Sequence, residues 1–133
     1  MLNIRTILLA EDVVRDTVTN TVSVFKLIEQ ITAEGYPINI PKAWLYILVD
    51  RQESDNSEQK LNIKFSHNKR LIEQATVNIS FKGQNAARVM VNLGALEFPE
   101  PGDAQFAVYD EQELLLKEYL VNLSVRDTSA MPV

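Results

Sequence analysis

The chain of 133 residues carries 13 basic and 18 acidic residues, a net charge of −5, one histidine, no cysteine and 46% apolar residues. That length and apolar content suit one globular domain with a core of its own, not a disordered chain. The absence of cysteine excludes disulfides, thiolate metal sites and thiol nucleophiles. The basic residues are scattered, with Lys69-Arg70 the densest pair, so neither nucleic acid nor an anionic membrane is expected as a partner.

The N-terminus, MLNIRTILLAEDVV, holds an apolar run, Ile7–Ala10, shorter than the roughly seven residues a secretory h-region needs and closed by Glu11-Asp12. No stretch approaches the roughly 20 apolar residues of a membrane span, and the expected location is the cytoplasm. Ile4–Glu11 reads as the first strand. Thr17–Asn20 reads as a turn, and Thr21–Thr32 as a second strand with a bulge near Lys26–Ile28. Val22–Glu34 also has near-helical spacing, but Val22, Val24, Ile28, Ile31 and Thr32 are β-branched and favour a strand. Glu34–Pro37 and Ile40-Pro41 read as breaks before a strand at Ala43–Asp50.

Strands are further expected at Gln59–Ser66, Ile72–Ser80, Ala87–Leu93, Ala104–Tyr109 and Leu114–Val125, where apolar and polar residues alternate. The polar loop Glu53–Glu58 and the short turns His67–Arg70 and Lys82–Asn85 separate them. Ile7–Ala10 and Trp44–Val49 are apolar on both faces. Such strands are central ones lying under other layers, or one of their faces meets a partner. About eight short strands with turns at this spacing predict an all-β antiparallel sandwich with Greek-key, immunoglobulin-like connections. The expected domain is 1–125, with 126–133 as a flexible C-terminal tail.

Chemistry-bearing clusters are few. His67 is expected to be an exposed turn histidine, and one histidine without cysteine makes a zinc or copper site improbable. The loop with Asp50, Glu53, Asp55 and Glu58 has oxygen ligands of the kind calcium takes, but its spacing fits no EF-hand, and solvation accounts for it equally well. Asp110, Glu111 and Glu113 lie on a hairpin tip rather than in a cleft, where they keep the edge soluble. The Asn78 and Asn122 sequons fall inside expected strands. Tyr36, Trp44 and Tyr46 form a possible ligand or carbohydrate platform, weighed against the commoner reading of Trp44 as core. Leu114-Leu115-Leu116 places at least one leucine outward, as a possible interface.

The early LLAEDV strand, the segment NTVSVFKLI at Asn20–Ile28, the proline-led PKAWLY strand and the block NLGALEFPEPGDAQF at Asn92–Phe106 together resemble a family of small bacterial β-sandwich proteins of unknown function. The block N-L-x-x-L-x-F-P-E-P-G is the most specific part. This chain lacks the glycine expected within Asn20–Ile28. The resemblance implies a fold and attaches no catalytic residue, cofactor or substrate. The sequence therefore points to a module that is not an enzyme and needs no cofactor, binding a protein partner or a second copy of itself. The alternative is a small-ligand or carbohydrate-binding domain using exposed aromatics.

Overall fold

A computed structural model describes residues 1–126. It contains nine strands: β1 (Asn3–Arg15), β2 (Val22–Leu27), β3 (Gln30–Ala33), β4 (Ile38–Asp50), β5 (Glu58–His67), β6 (Arg70–Ser80), β7 (Ala86–Phe98), β8 (Gly102–Tyr109) and β9 (Leu115–Val125). No helix occurs among the described residues, so none is long and apolar enough to cross a membrane. One sheet has the order β2-β1-β4-β7 and the other β3-β9-β8-β5-β6. The expected tail at 126–133 lies outside the described residues except for Arg126.

The period-2 pattern places one apolar row of each central strand between the sheets. Leu9, Leu45, Ile47 and Val49 from the first sheet meet Leu61, Phe106, Val108 and Val121 from the second in a single cluster. Phe65 packs on Phe106 with ring centroids 4.7 Å apart in a tilted arrangement. Burying each such side chain contributes roughly 1.5–3 kcal/mol.

Three expectations change. The expected strand Thr21–Thr32 is neither helix nor one bulged strand. It is two strands, and the chain leaves the first sheet at Leu27 and joins the second at Gln30. Ile28 makes the crossing: its side chain enters the core, its N–H donates to the Leu9 carbonyl (2.7 Å), and its own carbonyl accepts from the Tyr119 hydroxyl (2.6 Å). β3 then runs parallel to β9, from Gln30 opposite Asn122 to Ala33 opposite Val125, so the pairing is mostly rather than wholly antiparallel.

Ile40-Pro41 does not break the chain either, because β4 runs through it. Over this stretch β4 pairs only with β7, and Pro41 lies at a register shift between Ile40 and Ala43. A proline there removes no ladder bond from a regular pairing.

The proline-bracketed crossing from β7 to β8 is held by Asn68. This residue and Lys69 form the two-residue β5–β6 turn, both with positive φ (49° and 67°), as a tight hairpin of this kind requires. The Asn68 side chain donates to the Pro101 carbonyl and to Glu100 Oε1 (both 3.1 Å) and accepts from the Asp103 N–H (3.0 Å). Gly102, at φ +132°, lies so close that a β-carbon would overlap the Asn68 amide.

Candidate interaction surface

Strand β4 shows how the surface forms. Ala43, Leu45, Ile47 and Val49 point inward and are fully buried. Trp44, Tyr46 and Leu48 therefore point to the outer face of the four-stranded sheet, where a solvated strand would carry polar residues. Their cross-strand partners are apolar as well: Ala10 lies opposite Trp44, and Leu8 and Met90 lie either side of Tyr46. Leu27 opposite Ala10 and Phe25 opposite Asp12 extend the face onto β2.

Packing within this face is close enough to bury Tyr46 and Ala10, although neither belongs to the inter-sheet cluster. The rest stays open to solvent: Phe25 is 52%, Leu27 45% and Met90 37% exposed. Monomeric soluble proteins rarely leave a contiguous apolar patch of this kind uncovered.

Charged pairs frame the face at both ends of the strands. Arg5 grips Asp50 with two donors, Nε to Oδ2 (3.0 Å) and Nη2 to Oδ1. This contact holds the Asp50 carboxyl below the usual carboxylate range and raises Arg5. At the other end Lys42 Nζ lies 3.1 Å from Asp12. Arg88, opposite Leu48, donates to Asn20 (3.0 Å).

The residues singled out in the sequence fall in several places. Trp44 and Tyr46 share the outer face. Tyr36 packs against the inter-sheet core and donates its hydroxyl to the Ser124 carbonyl (2.9 Å), on the other side of the first sheet. Leu114 and Leu115 are exposed beside the β8–β9 turn, while Leu116 packs on the core. His67 is not an exposed turn residue. It ends β5 on the inward side opposite Ala104, is 5% exposed, and its Nε2 has no hydrogen-bond partner among the described residues. The two-residue turn begins one position later, which draws the ring inside.

The loop carboxylates are dispersed among separate partners: Asp50 on Arg5, Asp55 on the Met1 amine (2.9 Å) and the Gln52 N–H (2.8 Å), and Glu58 on the Ser80 hydroxyl (2.8 Å). Among the described residues no group of three His, Cys, Asp or Glu is placed to hold a metal ion. Asp110 is buried and organises its own turn, accepting from the Gln112 and Leu114 N–H groups (2.9 Å each).

Sequence reasoning did not find Phe25, Leu27 and Met90. The signal for them was the two-faced apolar character of Ile7–Ala10 and Trp44–Val49, which the structure places side by side.

A family of unknown function, DUF6941, has a model that matches residues 5–121, from β1 into β9. The chain belongs to this family. No curated protein matches the chain. Membership extends over both sheets and over every residue of the apolar outer face, and it brings no activity with it.

Proposed function

We propose that the chain is a protein-interaction module without enzymatic activity, and that it pairs with a second copy through the outer face of its four-stranded sheet. The carrying observation is that face: Phe25, Leu27 and Met90 exposed around a Trp44–Tyr46 centre. Four strands about 4.8 Å apart and some 25 Å long offer a projected area on the order of 500 Å². Side-chain relief brings this toward the roughly 800 Å² per partner of a standard interface.

The occupant follows from charge. The chain as a whole is acidic, yet this face carries both signs, with Arg5–Asp50 at one end and Asp12–Lys42 at the other. A two-fold axis lying in the interface brings self-complementary ends together without like-charge repulsion. The absence of any clustered basic surface in the sequence argues against nucleic-acid and membrane partners, in keeping with a cytoplasmic protein.

The same reading takes the two sheets as the layers of an immunoglobulin-like sandwich. It is supported by the shared core cluster and by the chain's repeated crossing between sheets, with hairpins only at β1–β2, β5–β6 and β8–β9.

Light scattering after size exclusion tests the assembly. The proposal expects twice the 15.1 kDa chain mass. It expects F25K and M90K to give monomers and L114K to leave the dimer intact. A wild-type chain that stays monomeric at high concentration contradicts it.

A further inference from the structure

On the flank where β6 and β7 end their respective sheets, the sheets do not close over the core. The inward positions of β6 become steadily more open along the strand: Ile79 is buried, Val77 is half-buried, and Ala75 and Glu73 are exposed. The result is an open cleft of about 330 Å³ between the edges. Its floor is Ile63, Phe65 and Phe106, and its far wall is β7 from Val91 to Glu97. At the other end of this flank the β6–β7 connection closes the core with Phe81, which is 2% exposed and lies under Arg51.

Three properties of the cleft define what it takes. β6 and β7 each have a sheet neighbour on one side only, so both present unpaired backbone groups along the cleft. The floor is apolar and accepts side chains at alternate positions of an extended segment. Among the described residues, the charged ones lining the cleft are the carboxylates Glu73 and Glu97. An inward carboxylate on an edge strand repels a purely apolar strand and favours one that brings a cation.

We propose that this cleft binds an extended peptide segment of a partner protein. The segment has apolar residues at alternate positions and lysine or arginine flanking them on the same face. It adds as a strand to the β6 or β7 edge, its apolar side chains reach Phe65 and Phe106, and its cations meet Glu73 and Glu97. The cleft shares strand β7 with the outer face of the four-stranded sheet, where Asn92 lies opposite Trp44, but its floor and its β6 wall belong to the five-stranded sheet.

The probe is the synthetic peptide acetyl-Lys-Thr-Val-Thr-Ile-Thr-Lys-amide, titrated into the isotope-labelled full chain and followed by amide chemical shifts. The expected result is shifts confined to Leu71–Ala75 and Val91–Glu97. Binding should be at least tenfold weaker in E73K and E97K and unchanged in E118K, which alters charge on the outer face of the five-stranded sheet. Methylating the peptide's backbone nitrogens along one edge should weaken binding to a similar degree. Any of four results would overturn the proposal: no shifts up to about 1 mM peptide, shifts centred elsewhere, equal loss in E118K, or equal binding of the methylated peptide. Self-association abolished by E73K would also overturn it, since the edge would then join copies of this chain.

Discussion

Gly102 shows why the FPEPG block has its composition. Its φ of +132° suits glycine alone, and Asn68 occupies the space that a side chain would need. Gly102→Ala should therefore cost about 2 kcal/mol or more, read as a lowered urea midpoint at unchanged slope, whereas Gly35→Ala, with open space around it, should change little. Two carboxylates outside the block link stability to acid. Asp16 accepts from the Val18 and Thr19 N–H groups and Asp50 pairs with Arg5; both are held below the ordinary carboxylate range by these contacts. A depressed folded-state value adds stability above the unfolded value near ~3.9, and that stability is lost as the pH falls through the folded one. Unfolding midpoints should accordingly fall between about pH 4 and pH 2, and the D16N/D50N double variant should show a shallower fall. An equal fall in both proteins would separate these two groups from the acid sensitivity.

Among the elements, the crossing at Ile28 bears most on the architecture. One residue donates to β1, accepts from a tyrosine on β9 and fills the core, so it joins both sheets. Ile28→Ala should cost about 2–4 kcal/mol, against less than about 0.5 kcal/mol for Val18→Ala at the 90% exposed turn position. A similar loss at both sites in chemical denaturation would contradict this role. The crossing also shows where the sequence became opaque. Alternation identifies strands because each has a wet and a buried face, and it found all five strands from β5 to β9, including β7 of the first sheet. A sheet switch keeps the β-branched composition on both sides of the break, so Thr21–Thr32 looked continuous. Only partners distant in sequence, Leu9 and Tyr119, distinguish β2 from β3. Proline at position 41 misled for a related reason: its tolerance depends on which neighbour is absent, and no local pattern records that. His67 likewise depended on the turn starting at Asn68 rather than one residue earlier.

At the scale of the whole molecule, three groups of apolar residues stand out from the scattered exposed ones such as Val18 and Leu120. One fills the space between the sheets, one lines the open flank between β6 and β7, and one covers the outer face of the four-stranded sheet. The last was half legible, since Trp44–Val49 and Ile7–Ala10 are apolar on both faces. The sequence alone did not show that they lie adjacent, or that Phe25, Leu27 and Met90 extend the same surface. The leucines at 114–116 were legible as a run, but the structure divides them, sending Leu116 to the core and leaving only Leu114 and Leu115 outside. A face with a nearly buried tyrosine at its centre and exposed phenylalanine, leucine and methionine around it resembles half of an interface more than a solvated sheet. The most direct measurement is the solution mass of the full chain across a concentration series, for the wild type and for F25K. The account predicts a wild-type dimer at twice the 15.1 kDa chain mass that F25K converts to a folded monomer, and a wild-type mass of one chain at every concentration would contradict it.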